Sequence, residues 1–383
     1  MILHPHFTLA GGAGKFVLEV GARLADRGHR VLVVCIRASP QIVGPFAGRM
    51  TFVEIGGPLS SSFLFWLQFP WVLFKVSRAM PRGPFVLFPQ VFPSNWWGFV
   101  HKIAHPGVPL VWMCQEPSAF IHSRKWLGAL PAGLAKGCAY LLNPLLKPLD
   151  IWLARHVECV FANSRATRKQ ACSVYGYPED RVRICYPGVD TLAFRPDPMI
   201  ERKNQLITIG RLTGFKNIDT IIRAVQILNR GRMEPVLLKI VGRGEQEKEL
   251  QKLVRDLDLE HVVVFCGALS DAELVRTLQE SKVFVLASED EPFGIVAVEA
   301  MACGVPCVVD GSGGPAETVV DGQTGFHVGS RDPAAYARKV SAILDDDRLS
   351  GLMSKQARAC SERYSWDAAA DELAQGFDDV AGT

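Results

Sequence analysis

Residues Ser288 to Gly304 read Ser-Glu-Asp-Glu-Pro-Phe-Gly-Ile-Val-Ala-Val-Glu-Ala-Met-Ala-Cys-Gly. The run before them, Val283-Phe-Val-Leu-Ala287, is short, apolar and rich in strand formers, and Val305-Pro-Cys-Val-Val309 after them has the same character. Ile295 to Cys303 has the composition of a buried helix. The pattern predicts a strand–loop–helix–strand unit, the building block of a parallel sheet. Its loop carries Glu291 and Gly294 at the carboxyl end of the first strand, where open α/β sheets bind ligands. Glu299 follows Glu291 by eight residues, just inside the helix. The amides of Gly294, Ile295 and Val296 lack helical partners at the helix start and offer a site for anionic or hydroxyl oxygens.

Two carboxylates beside a helix N-terminus suit a ligand that has both phosphate and many hydroxyls, such as a nucleotide sugar. Two Glu at this spacing are common on exposed helices, so the pair alone carries little. The whole string does more: Glu291-Pro-Phe-Gly-Ile-Val-x-Val-Glu299-Ala-Met-Ala-Cys-Gly-x-Pro-x-Val resembles the signature of GT4-type retaining glycosyltransferases. Gly313-Gly-Pro-Ala-Glu317 and Asp321-Gly-Gln-Thr-Gly-Phe326 match the same family further on. The resemblance implies the α/β GT-B fold: two doubly wound Rossmann-like domains facing across a cleft, with a C-terminal helix crossing back to the first domain. On this reading residues 1–190 are an acceptor-binding domain and 191–203 a Pro-rich polar linker. Residues 204–363 are a nucleotide-sugar-binding domain and 364–383 the crossover helix.

A chain of 383 residues has room for two domains with sizeable cores. With 48% hydrophobic and 21% charged residues it reads as globular, and a net charge of +3 makes no case for a nucleic-acid partner. Ten Cys are scattered without a C-x-x-C pair, which points to reduced core thiols of a cytoplasmic protein. Met1-Ile-Leu-His-Pro lacks the basic start of a signal peptide.

The N-terminal stretch predicts a strand at Ile2-Leu3, a loop with Gly11-Gly12 and Gly14, an amphipathic helix to about Arg27 capped by Gly28, and a strand Val31–Cys35. The loop lacks a full G-x-G-x-x-G, so it is no dinucleotide fingerprint. Gly11 and Gly12 permit close approach of a ligand, or form a simple turn. The resemblance implies that the pair faces the donor diphosphate; Gly14 stands where the family often has an acidic residue. The strand Val108–Trp112 leads to Gln115 and Glu116, where the family usually presents a His or polar residue to the reacting sugar. They are therefore expected in the acceptor or sugar site, with loop solvation as the alternative.

Two N-terminal stretches combine aromatics with basic residues. Ser62 to Met80 holds Phe63, Trp66, Trp71 and Phe74 with Lys75 and Arg78. Phe120 to Arg155 holds Trp126, Tyr140, Leu141, Leu142, Leu145 and Trp152 with Arg124, Lys125, Lys136, Lys147 and Arg155, and is expected to be broken at Pro131, Pro144 and Pro148. The first is too short and too interrupted to span a bilayer. Each suits either a helix packed in the N-terminal core or peripheral contact with an anionic membrane, at its cytoplasmic face.

In the second half, Gln205–Gly210 predicts a strand followed by Arg211-Leu-Thr-Gly-Phe-Lys216-Asn217 and a helix from Ile218 to about Arg230. An Arg and a Lys at a strand's carboxyl end suit a diphosphate, against a reading as surface solvation. The string is similar to the family's donor-phosphate motif. Gly242-Arg243-Gly244 repeats the strand-then-glycine plan, and the resemblance loosely implies base or ribose contact there. Ser164, Ser270 and Ser365 are expected helix caps.

The resemblance thus implies a retaining glycosyltransferase that moves a hexose from a nucleotide-diphosphate donor to a lipid-linked or glycan acceptor. Arg211, Lys216 and Glu291 are the expected catalytic residues. Gly11, Gly12, Gly242, Phe293, Gly294, Ile295, Val296 and Glu299 are the expected donor contacts, and no cofactor or metal is implied. The motifs are most similar to GDP-mannose-dependent enzymes of lipid-linked oligosaccharide and surface polysaccharide assembly; UDP-linked sugars stay open. The rivals are a sugar-nucleotide 2-epimerase of the same fold, a catalytically silent partner subunit and, more weakly, a glycan-binding module.

Overall fold

A computed structural model describes residues 1–8, 11–57, 63–123, 134–329 and 331–382; the side chains of 63–67, 120, 134, 135, 138 and 139 lie outside that description. So do several residues of the aromatic and basic stretches, namely the Trp66 side chain and Arg124, Lys125, Trp126 and Pro131. The chain forms two compact units. One is Met1–Gly188 with Trp366–Thr383, and the other is Val189–Ser365.

In the first unit the parallel strands lie in the order Thr51–Glu54, Leu32–Cys35, Ile2–Leu3, Phe88–Pro89. A parallel bridge between Leu87 and Leu110 continues this row into Val111–Cys114, Cys159–Ala162 and Val182–Ile184. The chain order along the row, third, second, first, then onward, is that of a doubly wound sheet. Helix Gly12–Asp26 buries Phe16, Val17, Val20 and Leu24, the residues at helical spacing in the sequence. Gly28, at φ 91°, takes the left-handed conformation that ends it. The last helix, Trp366–Ala381, belongs to this unit: Trp366 is buried with its ring 6.1 Å from Phe16, and the Phe377 ring lies 5.0 Å from Phe88. Arg183 pairs with Glu372 and Asp379 of the same helix.

The second unit holds a six-stranded parallel sheet in the order Val263–Gly267, Leu237–Val241, Lys203–Ile209, Ser281–Leu286, Cys307–Asp310, Gly325–Val328. The order reverses between Lys203–Ile209 and Ser281–Leu286, so the carboxyl ends of these two strands form the topological switch point. Its helices fill one core with Ile221, Ile222, Val225, Val340 and Ile343 against Leu206, Leu238, Ile240 and Val283. Ser270 caps helix Asp271–Gln279 in a reciprocal capping box with Glu273, and Ser164 caps Arg165–Tyr175 by accepting from the Thr167 amide at 2.9 Å. Residues 191–203, expected to be a linker, pack on this unit: Phe194 is buried, and Arg202 donates to the carbonyls of Cys303 and Gly304 at 3.1 and 2.7 Å.

The aromatic stretches form helices Phe63–Arg78 and Leu134–Ala154. The second runs through Pro144 and Pro148, where the sequence predicts breaks; beside them Asn143 Nδ2 donates to the Ile121 carbonyl at 2.7 Å and the Asp150 carboxylate accepts from Tyr175 OH at 2.9 Å.

Candidate active site

The strand Lys203–Ile209 runs into Gly210 and a loop that closes in one tight turn at Gly214–Lys216. Asn217 follows in the left-handed conformation, φ 50° and ψ 40°, and begins helix Ile218–Asn229. Its side-chain amide donates to the carbonyl of Ala287 at 2.8 Å, which ties this loop to the end of the neighbouring strand. From there the chain passes through Ser288 to Gly294. Across the switch point the Lys216 ammonium meets Oε2 of Glu291 at 2.5 Å, and Ser288 Oγ donates to the same oxygen at 2.7 Å. Burial alone would raise the Glu291 carboxyl. The Lys216 charge and the two hydrogen bonds outweigh it and hold the group below the usual carboxylate range. Arg211, at the mouth of the same loop, is exposed and has no polar side-chain partner among the described residues.

Glycines set these loops by close backbone approach. Gly294 sits at φ 79° at the start of helix Ile295–Ala302, which has no side-chain cap. A Cβ on Gly314 would stand 2.3 Å from the Phe293 Cα, and one on Gly313, at φ 69°, 2.4 Å from the Glu291 carbonyl oxygen. The Gly314 amide donates to that carbonyl at 2.7 Å, so Gly313-Gly314-Pro315 is the shelf on which the Glu291 loop rests. Gly242, at φ 129°, makes the equivalent approach to strand Lys203–Ile209, with a Cβ there 2.0 Å from the Gly210 carbonyl oxygen. Ile295 and Val296 are half-buried, and Glu299 is buried. The Phe293 ring packs edge-on to Tyr364 at 5.7 Å, which leaves only its backbone for a ligand.

Known proteins match the sequence and the fold that carry this site. The model described as Glycosyl transferases group 1 matches residues 191–360, and Glycosyltransferase Family 4 matches residues 10–192. The D-inositol 3-phosphate glycosyltransferase of Acidothermus cellulolyticus is 30% identical over 390 residues, covering 94% of this chain and 83% of that relative. The chain belongs to the GT4-type glycosyltransferases. A glycogen synthase of Mycobacterium tuberculosis is 27% identical to this glycosyltransferase over 97% of the chain and 91% of the relative. The crystal structure of Anabaena Alr3699/HepE in complex with UDP and glucose superposes with a TM-score of 0.78 at 19% identity, over 99% of each chain. That likeness shows the GT-B fold.

The first unit of the glycosyltransferase holds the remaining expected residues. Gly11 precedes helix Gly12–Asp26 in extended conformation; it and Gly12 are exposed, and nothing stands within 4 Å of where a Gly11 Cβ would be. Gln115 follows strand Val111–Cys114 as expected, yet its side chain is buried in an amide network. Its Nε2 donates to Gln90 Oε1 at 3.4 Å, and its Oε1 accepts from Asn163 Nδ2 at 3.1 Å. Glu116 is half-buried at the next position. Sequence reasoning missed Asn217 and Ser288. A Lys-Asn pair just before a helix, and a Ser just past a strand, were the available signals, but the contacts they make cross from one loop to another. Among the described residues no three His, Cys, Asp or Glu are grouped as a metal site would need.

Proposed function

We propose that this glycosyltransferase is a retaining hexosyltransferase that takes a hexose from a nucleotide-diphosphate sugar and transfers it to a lipid-linked or glycan acceptor. The observation that carries this reading is the Lys216–Glu291 pair at the switch point of the second unit, with Arg211 exposed beside it. The bond between the sugar C1 and the phosphate oxygen breaks, and the acceptor hydroxyl bonds to C1 from the same face. The hydroxyl proton passes to the leaving phosphate. Arg211 and Lys216 stabilise the charge that develops on the diphosphate, the largest lever in such a transfer. Glu291, held ionised, accepts hydrogen bonds from sugar hydroxyls, and the Gly294 and Ile295 amides assist. Glu299 takes the ribose hydroxyls, with Gly242, Phe293 and Val296 at the nucleotide. In the first unit, the exposed Gly11 and Gly12 and the half-buried Glu116 are the residues assigned to ligand contact, while the Gln115 amide is taken up by Gln90 and Asn163. The two cations replace a metal, so turnover is expected to survive chelation.

For the donor, the motif similarity favours GDP-mannose. A UDP-hexose is the second reading, favoured by the neighbour HepE, whose structure holds UDP and glucose. Thermal shift with GDP, UDP, GDP-mannose and UDP-glucose, in the parent and in Lys216→Ala, separates the two. A native-state ligand at a hundredfold excess over Kd adds about 2.7 kcal/mol of stability. A shift with one nucleotide, lost in Lys216→Ala, supports the reading. No shift with any of them returns weight to a silent partner subunit. Product anomer analysis by NMR tests retention.

A further inference from the structure

The carboxyl edge of the first unit carries a row of buried, uncharged polar side chains. His4, Gln90, Gln115 and Asn163 stand just past the ends of four adjacent parallel strands, Ile2–Leu3, Phe88–Pro89, Val111–Cys114 and Cys159–Ala162. They are 5%, 0%, 6% and 3% exposed. Burial pushes the His4 pKa down to about 3, so its ring is uncharged at neutral pH. The three amides form a chain with one direction. Asn163 Nδ2 donates to Gln115 Oε1 at 3.1 Å, and Gln115 Nε2 donates to Gln90 Oε1 at 3.4 Å. The direction is fixed, because Asn163 Nδ2 also donates to the Gln115 carbonyl at 2.9 Å. Turned over, the Asn163 amide would set oxygen against oxygen. The chain leaves one atom open at each end, Gln90 Nε2 and Asn163 Oδ1. Both are buried, and among the described residues neither meets a hydrogen-bond partner, nor does His4 Nδ1. A buried polar atom without a partner is costly and calls for an occupant.

The row is held in place from below. The Gln90 carbonyl accepts from Trp112 Nε1 at 3.0 Å, and the Gln90 amide donates to the Leu3 carbonyl at 3.1 Å. The segment after Gln115 is tied down by Asp150 of helix Leu134–Ala154. Its fully buried carboxylate accepts from Trp96 Nε1 at 2.5 Å, Ser118 Oγ at 3.0 Å and Tyr175 OH at 2.9 Å, and pairs with His122 Nε2 at 2.8 Å. The open ends select their occupant by charge. Gln90 Nε2 only donates, and Asn163 Oδ1 only accepts. An anion suits the first and is repelled by the second; an ammonium does the reverse. The four side chains of the row offer no counter-charge to either, and a buried charge without one is expensive. A neutral group that both donates and accepts suits both ends, which is the chemistry of a hydroxyl. The ends stand two strands apart, about 10 Å at the backbone. That span takes a ring with hydroxyls on two sides rather than one water.

We propose that Gln90 Nε2 and Asn163 Oδ1 bind an uncharged sugar ring at this edge of the first unit, Nε2 donating to one hydroxyl and Oδ1 accepting from another. The proposal rests on the transferase reading and sharpens it: the acceptor sugar carries no phosphate or carboxylate where it meets the amides. The test is saturation-transfer NMR of the full chain with methyl α-D-mannopyranoside, methyl α-D-glucopyranoside and D-glucuronate, with and without GDP or UDP. A saturable signal is expected from a methyl pyranoside and a weaker one from the glucuronate. Gln90→Met keeps the side-chain length and removes the donor. Gln90→Glu keeps the oxygen that Gln115 uses and replaces the donor alone. Each should weaken pyranoside binding about tenfold or more and leave the nucleotide thermal shift of the second unit as it is. Should Gln90→Met fail to fold, Gln90→Glu and the parent's own choice between pyranoside and glucuronate decide. A parent that binds no methyl pyranoside, or binds glucuronate more tightly, would overturn the proposal. So would variants that melt lower yet bind the pyranoside as the parent does, since the amides would then be structural. A nucleotide shift without pyranoside binding defeats this proposal alone; the lack of both defeats the transferase reading with it.

Discussion

Lys216 and Glu291 meet at 2.5 Å, although 75 residues separate them in the chain. Parallel pairing of Lys203–Ile209 with Ser281–Leu286 brings their loops side by side, and the Asn217 amide on the Ala287 carbonyl locks them. The cation proposed for phosphate and the carboxylate proposed for sugar thus hold each other in position before any ligand arrives. Lys216→Ala should lower kcat about 10²–10³-fold by removing a preorganised charge. It should also raise the Glu291 carboxyl pKa, because burial then acts against the Ser288 hydrogen bond alone. Steady-state kinetics and a pH profile of nucleotide binding check both. An unchanged kcat would remove Lys216 from the chemistry.

Gly314→Ala tests the shelf under Glu291. The added Cβ meets backbone, the Phe293 Cα at 2.3 Å and the Pro292 carbonyl oxygen at 2.5 Å, which cannot swing away as a flexible side chain can. Urea unfolding should show a loss of about 1–3 kcal/mol, and nucleotide affinity should fall with it. Gly351→Ala is the contrast. It lies inside helix Asp347–Ser361 with nothing within 4 Å, so the same substitution should stabilise by about 0.5–1 kcal/mol.

His4 gives the first unit a pH-dependent stability. Burial, and after it the charge of neighbouring His6, push its pKa down to about 3. An unfolded chain protonates this group near 6.5, so the folded-state pKa is the depressed one. Its contribution is therefore full above pH of about 6.5 and is lost as pH falls toward about 3, by roughly 1.4 kcal/mol per pH unit within that window. Urea midpoints measured at about pH 7.5 and about pH 5 should differ less in His4→Gln than in the parent.

Trp366→Ala should cost about 3–5 kcal/mol, since the ring is fully buried beside Phe16. The loss should appear in the unfolding of the unit that contains Met1–Gly188, although Trp366 follows the whole second unit in sequence. Protease protection mapped by mass spectrometry distinguishes that outcome from unfolding confined to the second unit.

The sequence by itself determined the parts that rest on local order. Apolar runs of strand length, several of them closed by glycine, specified the strand–loop–helix units. The string from Glu291 to Gly304 carries the family resemblance in local sequence alone. Boundaries moved by a residue or two, as at the predicted strand Val31–Cys35 that begins at Leu32, because hydrogen bonding to a neighbour, not composition, ends a strand. Only the tertiary structure decided what the loops do to one another. Glu291 and Lys216 were separate candidates in the sequence; the register of the sheet made them a pair. Gln115 stood at the right strand end, and the depth of that end put its amide among Gln90 and Asn163. In the sequence Asp150 is an acidic residue in a basic, leucine-rich stretch, with nothing local to mark it. Four donors from other elements turned it inward and left the leucines facing out. Each of these contacts joins residues far apart in the chain, and a linear pattern carries propensity and spacing but not the register that brings such residues together.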